Sequence, residues 1–158
     1  MKTVVLGIGN TLLSDEGVGV HVVNAVRPMV ANIDGVACID GGTLSFSLAG
    51  DIEDAENLIV IDAAMLDAAP GSMTCMTGAR MDRFLGHCKC SAHEVGLIDL
   101  LDIARLTTGI PANRALIAIQ PESTDWGEHP GKAVANTIPQ AVDKVTELIE
   151  AWHVESDR

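Results

Sequence analysis

The stretch GIGNTLLSDEGVGV, residues 7–20, decides how the chain folds, because it joins an apolar run to a helical one through a loop bearing two acids. Ahead of it, TVVLGIG is short, apolar and glycine-ended, the pattern of a buried strand. Behind it, Val18, Val22, Ala25 and Val26 recur at helical spacing until Pro28, where the helix is expected to stop. Gly7 and Gly9 between strand and helix invite a dinucleotide-binding loop, with Asp40 at the end of the second strand as the ribose acid. Two features oppose this. The third glycine of that fingerprint is replaced by Leu12, and Asp15 and Glu16 put negative charge at the positive end of the helix, where a pyrophosphate would have to sit. Ser14 is expected to cap the helix and Asp15 to complement its dipole, while Glu16 has to be weighed with what the sheet brings near it.

Outward from this loop, strands and helices alternate. VACID, closed by DGG, is a second strand; LSFSLAGDIEDA is a short helix; NLIVIDAA is a fully apolar third strand ending in Asp62. GSMTCMTG follows through a connection too short to hold a helix, which makes it the antiparallel member. After an irregular passage through GHCKCSAH, the segment EVGLIDLLDIARL places Leu97, Leu101 and Ala104 on one helical face, widened by Ile98. ALIAIQ is the last strand. Val134, Ile138, Val142, Val145, Ile149 and Trp152 trace a closing helix in which Pro139 marks a restart or kink. The pattern predicts an α/β chain, a three-layer α/β/α sandwich around a mostly parallel sheet.

Bulk properties limit the function classes. A chain of 158 residues, 47% hydrophobic and 20% charged, is expected to form one domain over residues 1–158. Its net charge of −12, from 22 acidic and 10 basic residues, opposes nucleic-acid phosphates and anionic membranes and suits a cation or a basic partner. The apolar run that opens the chain stops at Asn10, too short for a signal-peptide core or a membrane span. A cytoplasmic location is expected, with Cys38, Cys75, Cys88 and Cys90 reduced.

In an open parallel sheet, ligands bind beyond the carboxyl ends of the strands. Glu16 leaves strand one, Asp40 closes strand two and Asp62 closes strand three, so three acids converge on one edge, and His93 begins a helix able to enter from the same side. Crowded carboxylates repel unless protonated or bridged by a cation. Two carboxylates and an imidazole suit nickel, zinc, manganese or iron with positions left open. HCKC, with His87, Cys88 and Cys90, also invites a zinc or copper site, but only one residue separates its cysteines where zinc motifs use two to four.

Together, GIGNTLLSDEGVGV, DGGT, LIVIDA followed by PG, SAHEVGL and IQPES resemble, in the same order and over nearly the whole chain, the maturation endopeptidases of nickel-iron hydrogenases. The resemblance implies a three-layer α/β/α domain with a mixed, mostly parallel five-stranded sheet. It implies an enzyme that removes a short C-terminal extension from the hydrogenase large-subunit precursor once nickel has been inserted. It carries the family's metal-contacting residues onto Glu16, Asp62 and His93, and a substrate-recognition edge onto DGGT, that is Asp40, Gly41, Gly42 and Thr43. The nickel is then presented by the substrate, held by large-subunit cysteines. Two rival readings are a metallohydrolase with its own resident metal and a non-enzymatic receiver-like domain with an acidic pocket. The latter would want a Lys after the last strand, where IQPES has none.

Overall fold

Strand β1, Thr3–Ile8, is buried along its whole length, and its side chains divide between two cores: Val5 lies in one, Val4, Leu6 and Ile8 in the other. Continuous apolarity with alternate sides buried separately is the mark of a central strand covered on both faces. The structure, a computed structural model, describes residues 1–87 and 96–156. A 3-10 turn at Ser14–Gly17 leads into α1, Val18–Val30, then β2, Val36–Gly42, a second 3-10 turn at Phe46–Leu48, α2, Ala49–Glu53, and β3, Asn57–Ala63. There follow β4, Met73–Thr77, α3, Gly78–His87, α4, Leu97–Leu106, β5, Asn113–Ile119, α5, Lys132–Ala135, and α6, Ile138–Ser156.

The five strands form one sheet in the order β2-β1-β3-β5-β4, with β4 alone antiparallel to its neighbour. Helices α1 and α6 pack on one face, over Ile59, Ile61, Ile117 and Ile119; α2, α3 and α4 cover the other, over Leu58, Val60, Leu116 and Ala118. The three-layer architecture and the mixed sheet expected from the sequence are thus present. Because β1 connects outward to β2 while β3 lies on its other side, the strand order reverses between β1 and β3. That reversal opens a crevice at the carboxyl ends of these two strands.

Three local expectations give way. Helix α1 runs through Pro28 to Val30, because the carbonyl deprived of its bond belongs to Asn24 on the exposed face. Ser14 is no helix cap: its φ is 50° and its hydroxyl donates to the carbonyl of Asp125 at 2.8 Å. Helix α3 occupies residues expected to be irregular. Only Met81 of it is fully buried, with Phe84 and Leu85 packed beside it. A paired hydrogen bond from Arg114 to both carboxylate oxygens of Asp82, 2.9 and 2.6 Å, ties it to β5. Pro139 stands at the start of α6, which restarts after α5. Among the described residues no helix is long and apolar enough to cross a membrane.

The first turn of α1 lies unusually close to the sheet. A Cβ on Gly19 would collide with the carbonyl oxygens of Ile61 and Ile8, both backbone atoms that cannot swing aside. Gly19→Ala is therefore expected to lower the melting temperature by roughly 8 °C or more, or to leave the protein insoluble, as measured by thermal unfolding. A variant melting within about 2 °C of the parent would contradict this close approach.

Candidate active site

The loop after β1 owes its shape to a carboxylate. Asp15 is buried, and its Oδ2 accepts the backbone N–H groups of Glu122 and Ser123 at 2.8 and 3.0 Å, while Oδ1 accepts that of Gly131 at 2.6 Å. Backbone bonds reinforce the clasp: Asp15 N–H donates to Ser123 O, Ser14 N–H to Gly127 O, and Gly127 N–H to Leu12 O. Three charge-assisted bonds offset the burial of one charge. Asp15 therefore does more than complement the helix dipole. It fastens the β5–α5 loop to the turn that carries Glu16, which corrects the expectation from sequence.

Glu16, beside it, is half-buried and faces the opposite way along the loop. Its Oε2 accepts the backbone N–H of Asn10 at 3.1 Å, and Gly9, with φ 139°, passes so near the Glu16 carbonyl that a side chain there would strike it. The glycines of this loop serve close backbone packing, not a pyrophosphate.

Asp62 ends β3 at the neighbouring position of the crevice. Burial pushes its carboxyl up to about 8, a hydrogen bond from the Ala63 backbone pulls the other way, and the negative charge of Glu16 raises it further. The charge of Glu16 is thus felt at Asp62. His93 lies outside the described residues, in the segment between α3 and α4. Among the described residues no group of three or more His, Cys, Asp or Glu side chains is placed to hold a metal ion.

Asp40 and its neighbours sit at the sheet edge beside this crevice. Asp40 is exposed, and its Oδ1 accepts the Gly42 N–H at 2.9 Å; Gly42 O in turn accepts the Gly9 N–H at 2.8 Å, docking this turn onto the β1 loop. Gly41 is half-buried and Thr43 exposed. Of the HCKC site, His87 ends α3 with its Nδ1 hydrogen-bonded to the Arg83 carbonyl, and Cys88 and Cys90 lie outside the described residues. Gln120 follows β5 where a receiver would carry Lys, and its side chain is engaged by the Leu66 N–H, 2.7 Å, and by Pro121 O, 3.1 Å. His21 is half-buried on α1, and burial together with the charge of His129 pulls its imidazole below the usual range.

A sequence model described as hydrogenase maturation protease matches residues 20–150. The hydrogenase expression/formation protein HupD of Rhodobacter capsulatus is 36% identical over 155 residues, 98% of this chain and 74% of the relative. The hydrogenase 2 maturation protease of Escherichia coli is 32% identical over 152 residues, covering 96% of this chain and 90% of that one. The solved structure of the hydrogenase maturating endopeptidase HybD from E. coli superposes with a TM-score of 0.85 at 32% identity, over 96% of this chain and 94% of the other.

Two stability measurements follow from the geometry. Asp15→Ala leaves three backbone N–H groups without their acceptor and should cost on the order of 3 kcal/mol in denaturant unfolding; a loss below about 0.5 kcal/mol would show that the clasp stabilises nothing. For Asp62, the folded carboxyl holds its proton to about pH 8 while the unfolded one releases it near 3.8. Between these values the native state binds more protons, so stability falls as pH rises. Asp62→Asn, measured with chelator present, should melt roughly 3 °C or more above the parent at pH 7.5, the gap closing toward pH 4. A gap that widens on acidification would contradict the sign.

Proposed function

Because the chain belongs to the hydrogenase maturation protease family, we propose that it cuts a C-terminal extension from the large-subunit precursor of a nickel-iron hydrogenase. In this proposal residues 1–158 act as one maturation-protease domain in the cytoplasm. The nickel belongs to the substrate, and Glu16, Asp62 and His93 are the side chains that test for it. The observation that carries the proposal is the electrostatic influence of Glu16, in the turn after β1, on Asp62, near the end of β3, beside the strand-order reversal.

The chemistry of this pair fits a reader of a presented ion. Near neutral pH Asp62 keeps its proton, because burial and Glu16 disfavour a second negative charge. A cation held by Glu16 and Asp62 would reverse that preference, favouring loss of the Asp62 proton. Two carboxylates and an imidazole with positions left open would make a weak site, able to complete the coordination of an ion that thiolates already hold and too poor to strip it away. Held there by Glu16, Asp62 and His93, the substrate's ion would orient the chain that carries it, and positioning of this kind supplies a large part of a hydrolytic barrier reduction.

The Asp40–Thr43 edge adds a place for the chain being cut. Strand β2 borders the sheet, and the exposed Asp40 and Thr43 at its carboxyl end stand where an extended segment of substrate would reach the crevice. We assign substrate binding to Asp40, Gly41, Gly42 and Thr43 on this ground.

The test compares nickel-loaded and nickel-free precursor, reading the C-terminal mass after incubation. Trimming of the loaded form alone is expected, slowed at least about tenfold by Glu16→Gln, Asp62→Asn or His93→Ala. Equal trimming of nickel-free precursor, or unchanged rates in all three variants, would reject the assignment.

A further inference from the structure

Leu12, Phe46, Met65 and Trp126 are all exposed, 49, 62, 69 and 82% respectively, although each is a large apolar side chain. Their positions follow a rule. Leu12 comes after β1, Phe46 after β2, Met65 after β3 and Trp126 after β5, so each parallel strand is followed by one of them at the carboxyl edge of the sheet. This is the edge to which β3 brings Asp62 and the turn after β1 brings Glu16.

The loops that carry them are tied down. A parallel bridge pairs Leu13 with Gly127, leaving Leu12 and Trp126 side by side, one residue earlier on each chain, and Asp15 clamps the same two loops from beneath. Met65 Sδ accepts a hydrogen bond from the Gln120 side chain, which also holds the next residue, Leu66. Phe46 begins a 3-10 turn, between Ser45 and Ser47, whose hydroxyls share a hydrogen bond. Apolar groups held in place at a rim lose little entropy on binding, which is what an interaction surface requires.

Charge identifies the occupant. The same edge loops expose Asp40, Asp67, Glu122, Asp125 and Glu128 against the single cation Lys132 among the described residues. An acidic rim on a chain of net charge −12 repels a second copy of itself, an anionic lipid surface and a nucleic acid alike. It attracts a polypeptide whose apolar side chains are interspersed with lysine or arginine. We propose that Leu12, Phe46, Met65 and Trp126 form a docking rim around the Glu16–Asp62 crevice that grips a basic, apolar segment of the large-subunit precursor. The proposal rests on the function assigned above and adds to it the surface and the chemistry by which the precursor is selected.

The experiment measures equilibrium binding and cleavage of nickel-loaded precursor by the full chain and by Leu12→Ser, Phe46→Ser, Met65→Ser and Trp126→Ser, singly and combined. Met29→Ser and Val154→Ser, exposed residues near the ends of α1 and α6, are the controls. Trp126→Ser and Leu12→Ser are expected to raise Kd and KM each about tenfold with kcat within about twofold, and the combined variant to abolish measurable binding. Raising salt from roughly 0.05 to 0.5 M should weaken binding by the parent. Rim variants that bind as the parent does, or controls that lose as much, overturn the rim while leaving the protease assignment intact. A parent that binds but does not cut overturns the assignment and leaves the rim standing on its Kd values. A parent that binds no precursor overturns both, and a dimer dissolved by the rim variants shows a second copy to be the occupant.

Discussion

One buried carboxylate organises the working edge of this molecule. Asp15 accepts backbone N–H groups from residues 107 to 116 positions away, and with the backbone bonds of Ser14, Asp15 and Gly127 it joins the start of the chain to the β5–α5 loop. A charge removed from water is tolerable only when its lone pairs are satisfied, so the loop has to close around it. Closure has two consequences. Glu16, the next residue, is delivered to the crevice from a rigid turn, and Trp126 is held beside Leu12. The acid that looked like ornament to a helix is the fastening of the site.

A second constraint comes from the sheet. Strand order reverses between β1 and β3, and Asp62 lies near the carboxyl end of β3 beside that reversal. Burial there sets the protonation of Asp62, and Glu16 strengthens the effect. The same low-dielectric surroundings that make the pair uncomfortable without a cation make it responsive to one. Stability is given up at this buried carboxyl, an arrangement common at functional sites.

Much of this was legible in the sequence because it is local or periodic. Strands β1, β3 and β5 announce themselves as apolar runs, β4 follows from a short connection, and Asp62 falls near the end of β3, where the apolar run before it indicates. The clasp of Asp15 was not legible, since its partners are backbone groups of a loop far along the chain and leave no side-chain signature. Helix α3 escaped notice because one residue, Met81, carries its deepest burial and an ion pair with Arg114 does the rest; Met81, Phe84 and Leu85 at helical spacing were the available signal. Pro28 does not stop α1 because it lies in its last turn and the carbonyl it leaves without a partner, that of exposed Asn24, can turn to water.

The central claim is that carboxylates of this chain touch the nickel of its substrate. X-ray absorption at the nickel edge, recorded on loaded precursor alone and in complex with the protein at low temperature, observes that contact directly. Added oxygen ligands in the complex, absent with a Glu16→Gln, Asp62→Asn double variant that still binds precursor, are predicted. An unchanged all-thiolate signal in the complex with the parent chain would contradict the account.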